Sequence, residues 1–246
     1  MMKQINLMYH DIYRYADSES GFSDAYSYKM DVLNFKKQIR LIAHYNTSKK
    51  DLNLKLTFDD GGVCFYSIIA PILEEYHLQG HFMITTDYIG SPGFLSSDQI
   101  RELAARGHII GSHSHSHPDD MTKITECEMK KEWQQSIQIL SDILNTRVTE
   151  ASVPNGRFSS KMLDTLVECG ITDIYTSIPS CHSSVYSTAN LNGRYVVNMK
   201  NAESLESIFN NSFTRMWLLW RYYILKLAKL LLGRTYHKIW VRIGRY

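Results

Sequence analysis

The chain has 246 residues, with 27 basic side chains, 25 acidic side chains and a formal net charge of +2. Hydrophobic residues make up 44% and charged residues 21% of the sequence, as in an ordinary globular protein. These values exclude a disordered chain, a collagen-like chain and a protein with many membrane spans. The nearly balanced charge gives no reason to expect nucleic-acid binding.

Strand and helix patterns alternate along most of the chain. We predict strands at residues 5–9, 52–58, 81–85, 108–110, 151–153, 171–176 and 194–199. We predict helices after a cap at Asn34, at 65–75 with a kink at Pro71, at 97–106, from a Thr125–Glu128 capping box to Leu144, and at 162–167. This alternation predicts an α/β fold with a parallel sheet, and the length suits one (β/α) barrel of about 250 residues.

Cysteine use and the N-terminal residues bear on the cellular compartment. The four cysteines are Cys64, Cys127, Cys169 and Cys181. They are far apart and none forms a Cys-x-x-Cys pair, so we expect free thiols rather than a disulfide framework or a cysteine zinc cluster. Residues 1–10 lack the long apolar core of a signal peptide. We therefore expect a cytoplasmic protein.

Polar clusters follow four of the predicted strands. They are His10-Asp11, Asp59-Asp60, residues 113–117 and Pro154-Asn155. In parallel sheets the chemistry sits where strands end and loops begin. Adjacent carboxylates raise each other's pKa unless a positive group holds them, so the pair Asp59-Asp60 is costly to place. A loop or helix-cap role for this pair is the alternative.

Three histidines fall within five residues, at positions 113, 115 and 117. Two imidazoles and a carboxylate suit Zn²⁺ with open positions for water. A solvated loop rich in Ser and His is the alternative, and spacing alone does not exclude His115, because a strand would place all three on one face. With the acidic pair, the pattern predicts a hydrolytic metal site in which one carboxylate binds metal and the other acts as a base.

These clusters resemble the first two motifs of the polysaccharide deacetylases, the NodB-homology family of carbohydrate esterases. Residues 57–61 read Thr-Phe-Asp-Asp-Gly, and His113, Ser114 and His117 fill the second motif, His-[Ser/Thr]-x-x-His. The resemblance covers about residues 5–199. It implies a distorted (β/α) barrel, which we place at residues 1–212, followed by a basic, aromatic helical tail at residues 213–246.

The resemblance also implies roles for individual residues. Asp60, His113 and His117 would bind Zn²⁺ or another divalent ion, and Asp59 would be the general base. His115 would not be a ligand. The implied reaction is hydrolysis of the acetamide of N-acetylated sugars, in a polysaccharide or a glycan precursor, by water that the metal activates.

The third motif departs from the family pattern. Many members have an Arg two residues before Pro-Tyr-Gly, whereas this chain has Ser152 at the arginine position and Asn155 at the tyrosine position. The backbone N–H of Asn155 would still be an oxyanion donor, and Pro154 and Arg157 would contact substrate. We expect that loss of the arginine leaves the pKa of Asp59 less constrained, with Arg157 as the nearby candidate to compensate.

The general acid of the family is usually a histidine in a late Leu-x-His motif, and this chain has no such motif after residue 171. Residues 7–10, Leu-Met-Tyr-His, resemble that motif moved to the N-terminus, as in the circularly permuted branch that acts on poly-N-acetylglucosamine. The first and last strands of a closed barrel are neighbours. We therefore predict that His10 is the general acid; a core or capping histidine is the alternative.

The C-terminal segment 216–246 is apolar, aromatic and basic. Arg221, Lys226 and Lys229 interrupt its apolar run, which argues against a spanning helix. Two interpretations stay open: peripheral contact with the inner face of a membrane, and a helix packed on the barrel whose cations extend to solvent.

Two other functions compete with N-deacetylation. One is an O-deacetylase or another amidase on the same scaffold. The other is a non-catalytic, membrane-associated glycan-binding relative, which Ser152, Asn155 and the missing late histidine motivate. The intact set of Asp59, Asp60 and two histidines argues against the second.

Overall fold

The structure is a computed structural model that describes residues 3–15, 19–22, 28–49, 51–198 and 205–232. Its strands are β1 (Lys3–Tyr9), β2 (Ile12–Tyr13), β3 (Met30–Asp31), β4 (Leu52–Phe58), β5 (Gly80–Ile84), β6 (Ile109–Ser112), β7 (Glu150–Ser152), β8 (Asp173–Tyr175), β9 (Ser184–Tyr186), β10 (Ala189–Asn192) and β11 (Tyr195–Val196). Its helices are α1 (Val32–Ser48), α2 (Ala70–Glu75), α3 (Ser97–Ala105), α4 (Glu126–Leu144), α5 (Ser160–Glu168), α6 (Leu205–Asn210) and α7 (Ser212–Leu232). Residue 199 of the last predicted strand and residues 233–246 of the predicted tail lie outside the described residues.

Nine of these strands form one sheet in the order β11-β1-β4-β5-β6-β7-β8-β10-β9. Its strand pairs are parallel except for β10 with β9. Strand β1 pairs with β4 from Lys3↔Leu52 to Tyr9↔Phe58, so both strands end at one edge. The late strand β11 pairs with β1, which brings the first and last strands of the sheet together.

Side chains on the concave face join strands that are not neighbours in the sheet. Lys55 Nζ on β4 donates to Tyr175 Oη on β8 at 2.9 Å. His81 Nδ1 on β5 lies 2.7 Å from Glu150 Oε2 on β7. These distances require a strongly curled sheet, and the helices that follow its strands complete a distorted (β/α) barrel. The predicted fold class is confirmed.

Local signals fix where several helices begin. The predicted capping box of Thr125 and Glu128 is confirmed at the start of α4. The prediction that Asn34 caps the first helix is wrong: Asp31 is the cap, because its side chain accepts hydrogen bonds from the backbone N–H groups of Leu33 and Asn34. A π-helical turn at Phe65–Ile69 runs directly into α2, so the predicted helix at 65–75 is continuous, and Pro71 lies just after the junction.

Helix α7 differs from the other long helices because none of its residues is buried. One face, with Leu218, Tyr222 and Leu225, is half-buried against the domain. The opposite face exposes Trp217 by 54% and Trp220 by 64%. None of the helices in the described part of the chain combines the length and hydropathy needed to span a bilayer.

Candidate active site

The adjacent carboxylates lie directly after β4, where the backbone changes direction. The N–H of Asp59 still donates to Tyr9 O at 3.1 Å, which extends the pairing with β1. Asp60 then takes a φ of 86°, which ends the strand. Both side chains are buried. The turn separates the two carboxylates, so that each meets a different set of partners.

The histidine loop follows β6 and turns back on itself. Ser114 and His117 have positive φ angles of 64° and 57°. Glu132 of α4 accepts hydrogen bonds from the backbone N–H groups of residues 115–116, at 3.1 and 2.8 Å. Held in this way, the loop presents His113 and His117 to Asp60.

Asp60, His113 and His117 form a cluster that fits a divalent metal ion. Asp60 Oδ1 lies 3.5 Å from His113 Nε2 and 3.7 Å from His117 Nε2, and the three ligand atoms lie within 4.8 Å of one another. Tetrahedral ligands at about 2.1 Å from Zn²⁺ are separated by about 3.4 Å. Among the described residues, the predicted ligand set is therefore brought together with the spacing that such an ion needs.

The buried ring of His113 is prepared to be a ligand. Burial lowers the pKa of His113 to about 3, so the ring is neutral at physiological pH. Its Nδ1 lies 3.1 Å from the carbonyl oxygen of Ser152 and donates to it, which leaves the lone pair of Nε2 facing Asp60.

His115 points elsewhere, in agreement with the role that the resemblance implied. Its Nδ1 lies 2.9 Å from Thr86 Oγ1, and its Nε2 lies 2.9 Å from Gln135 Nε2. One ring nitrogen is thus engaged by the segment that follows β5 and the other by α4.

Arg194 is the partner of Asp59. Its guanidinium is fully buried and donates two hydrogen bonds to the Asp59 carboxylate, both at 2.7 Å. Its Nε donates to Thr176 O at 3.1 Å. Burial alone raises the pKa of Asp59, but the charge of Arg194 outweighs burial and holds that pKa well below its ordinary value. Asp59 is therefore a carboxylate at physiological pH.

The expectation that the pKa of Asp59 is less constrained is wrong, and so is the expectation that Arg157 compensates. Arg157 instead donates to Asp120 Oδ2 at 2.9 Å, at an exposed position. It follows the turn after β7, whereas Arg194 enters the site from the connection between β10 and β11.

The side chain of Ser152 hydrogen-bonds both Asp59 and His113. Its Oγ donates to Asp59 Oδ1 at 3.1 Å and lies 2.5 Å from His113 Nδ1, from which it accepts. From the sequence, Ser152 was noted only because it stands where many family members have an arginine. Arg194 was noted only as the first residue of a predicted strand. The position of Ser152 in the third motif was the one signal that pointed to it.

His10 follows β1 and lies beside these groups. Its ring packs on Tyr28, with 4.6 Å between ring centroids. Burial lowers the pKa of His10, and the carboxylate of Asp59 opposes that shift. Its Nδ1 is buried and has no hydrogen-bond partner among the described residues. His10 is thus within electrostatic reach of Asp59.

The turn Pro154–Gly156 follows β7 and is separated from Ser152 by Val153. Pro154 is buried. Asn155 has a φ of 54°, and its side chain donates to Asp119 O at 3.3 Å. The third motif therefore borders the site, and its backbone turns outwards there.

Comparison with known proteins identifies relatives of this chain. The chain is 28% identical over 146 residues to the peptidoglycan-N-acetylmuramic acid deacetylase PdaA of Bacillus subtilis, which covers 55% of this chain and 51% of that protein. It spans about half the length of the curated relatives it matches.

Two solved structures share the fold. The Streptococcus pyogenes deacetylase PplD in complex with acetate has a TM-score of 0.67 and 21% identity, over 84% of this chain and 98% of that chain. IcaB from Ammonifex degensii has a TM-score of 0.66 and 16% identity, over 89% of this chain and 98% of that chain. The family model for polysaccharide deacetylase matches residues 45–174, which is more than half of the sequence, and the chain therefore belongs to the polysaccharide deacetylase family.

Proposed function

We propose that this protein is a metal-dependent hydrolase that removes acetyl groups from the N-acetylated sugars of a polysaccharide or a glycan precursor. The observation that carries the proposal is the buried cluster of Asp60, His113 and His117 beside a separately held carboxylate, Asp59. Relatives named as deacetylases of peptidoglycan N-acetylmuramic acid and of chitooligosaccharides support an N-acetylated glycan as substrate.

Each residue of the site has a distinct task in this reaction. Asp60, His113 and His117 would hold Zn²⁺ or another divalent ion, which would supply Lewis acidity for the acetyl carbonyl and for water. Asp59 accepts the proton of the attacking water, and Arg194 keeps Asp59 ionised and oriented.

The remaining steps use the rim of the site. The backbone N–H of Asn155 donates to the oxygen that gains charge when water adds to the acetyl carbon. His10 donates a proton to the sugar nitrogen as the C–N bond breaks, which releases acetate and a free amine. Pro154 and Arg157 contact the glycan beside the reacting group.

Metal content and acetate release test the proposal together. We expect about one equivalent of metal in the purified protein and acetate release from N-acetylglucosamine oligomers. His117→Ala should lose both, whereas the matched control His115→Gln should keep its metal. A wild-type protein that takes up no metal from a micromolar supply would favour the non-catalytic alternative. Acetate release from O-acetylated but not N-acetylated sugars would favour the O-deacetylase.

The role of His10 has its own test. His10→Ala should abolish turnover but keep the metal, because the proposed acid is not a ligand. Full activity in this variant would exclude His10 as the acid.

We also propose a cytoplasmic location with α7 at the inner face of the membrane. Three observations support it: the four cysteines are unpaired, Trp217 and Trp220 are exposed on one face of α7, and residues 207–246 contain no acidic side chain. Sedimentation with anionic vesicles should carry down the intact protein but not a chain that ends at Phe213. Equal, negligible binding by both would contradict membrane contact.

A further inference from the structure

A groove of about 790 Å³ separates α7 from the barrel. On the helix side it is lined by apolar groups that include Leu218, Tyr222 and Leu225. On the barrel side, Phe158 and Val196 contribute to its wall. The groove therefore has the volume of a small-molecule binding site and two apolar walls.

The charges that line this groove are almost all positive. Its described lining contains five cationic residues and one acidic residue: Lys123, Arg157, Arg221, Lys226, Lys229 and Asp120. The carboxylate of Asp120 is already shared, at 2.9 Å from Arg157 and 3.5 Å from Lys123. Arg221 and Lys226 face no further carboxylate within the described lining, so this part of the groove attracts an anion.

One end of the groove borders the third motif, which follows β7 next to the candidate active site. Asn155 and Gly156 line it, and they follow Ser152, which hydrogen-bonds both Asp59 and His113. With the backbone of Asn155 as the proposed oxyanion donor, a glycan whose acetamide lies at the metal cluster would extend into the groove at Asn155.

A ligand that satisfies this lining needs an anionic group for the cations and an apolar chain for the walls. We propose that the substrate is an N-acetylated glycan carried on a lipid phosphate, with its phosphate at Arg221 and Lys226 and the first part of its lipid chain against Leu218 and Tyr222. This inference rests on the proposed deacetylation and names the substrate class of that same site. The exposed apolar face of α7 lies opposite the groove. A membrane in contact with that face would bring such a lipid close to α7.

Binding of three probes to the full-length, metal-loaded protein tests this inference. Each probe carries N-methanesulfonylglucosamine, which the enzyme does not hydrolyse. The first has a citronellyl phosphate, the second a neutral citronellyl ether and the third a phosphate without lipid. Calorimetry should show that the first binds at least about tenfold more tightly than either of the others, since one ion-paired phosphate contributes at least that factor.

Charge-removing variants locate the site. Arg221→Gln combined with Lys226→Gln should lower the preference for the anionic lipid over the neutral lipid by about tenfold. Both side chains are exposed, so the fold should not change. Lys37→Gln, an exposed charge on α1, is the matched control and should leave the preference intact.

Each contrary result overturns a stated part of the inference. Equal affinity for the neutral lipid excludes an anion site, and equal affinity for the phosphate without lipid identifies a soluble sugar phosphate as the ligand. An unchanged preference in the double variant excludes the groove. Because these are binding measurements, they are distinct from failure of the proposed function, which is absence of acetate release from the corresponding N-acetyl probe.

Discussion

At the carboxyl edge of the sheet, Arg194 and Ser152 are buried and both hydrogen-bond the buried carboxylate of Asp59, whereas no residue of α7 is buried and its tryptophans are largely exposed. The charges of the first region are matched within the molecule. The cationic side chains of α7 lie along a groove whose described lining contains a single carboxylate, that of Asp120. In the barrel, the protein's own residues neutralise the buried carboxylate of Asp59, whereas we propose that α7 contacts a ligand or membrane outside the chain.

The largest effect is expected from loss of the proposed base. Asp59→Asn keeps the shape of the side chain but cannot accept the proton of water, so kcat for acetate release should fall by roughly 10²–10⁴-fold. Steady-state kinetics with the metal content measured in parallel would check this. A decrease of less than tenfold, with metal bound, would contradict the role of Asp59 and weaken the view of this edge as the reaction centre.

Removing the buried cation of Arg194 should lower the stability of the fold as well as the activity. Arg194→Met leaves Asp59 buried and unpaired, so the free energy of unfolding should fall by about 3–5 kcal/mol. Arg106, which forms a partly exposed pair with Glu74, is the matched control, and Arg106→Met should cost less than about 1 kcal/mol. Similar losses in urea unfolding of the two variants would contradict the distinction between buried and exposed charges.

The same pair predicts a dependence of stability on pH. The pKa of Asp59 in the folded protein is held below its value of about 3.9 in the unfolded chain. Its pairing therefore stabilises the fold above that value and is lost as the pH falls further. The difference in unfolding free energy between wild type and Arg194→Met should shrink as the pH falls from about 5 to about 2.5; a difference that grows would contradict the pairing.

A smaller effect is expected at Ser152. Ser152→Ala removes the hydroxyl between Asp59 and His113 but keeps the backbone carbonyl that accepts from His113. Metal affinity should fall by roughly tenfold, as for other residues that orient a ligand. Competition with a fluorescent chelator measures the metal affinity. Ser67→Ala, at an exposed serine, is the control. An unchanged affinity would show that the carbonyl alone orients the ring.

The smallest effect on stability is expected on the outer face of α7. Trp220→Ser should change the free energy of unfolding by less than about 0.5 kcal/mol, because the side chain is 64% exposed. Trp133→Ala, in the core, should cost about 3–5 kcal/mol. Trp220→Ser should nevertheless weaken sedimentation with anionic vesicles. A large loss of stability, with unchanged vesicle binding, would mean that α7 packs on the protein alone.

The sequence by itself determined the fold class and, through the family resemblance rather than through spacing, which residues form the candidate metal cluster. Asp59, Asp60, His113 and His117 follow apolar strands, and parallel strands end at the same edge of a sheet, so motif order sufficed to bring them together. The start of α4 was also readable, because Thr125 and Glu128 cap that helix through contacts within one turn.

Only the tertiary structure decided what holds the proposed base. Arg194 lies 135 residues from Asp59 in the chain, and no local pattern links the two. They meet because β11 pairs with β1 and β1 pairs with β4. The absent arginine of the third motif suggested Arg157, which is close in sequence but bonds Asp120 instead. Motifs record which residues follow a strand, whereas charge neutralisation in a buried site depends on which distant strands become neighbours.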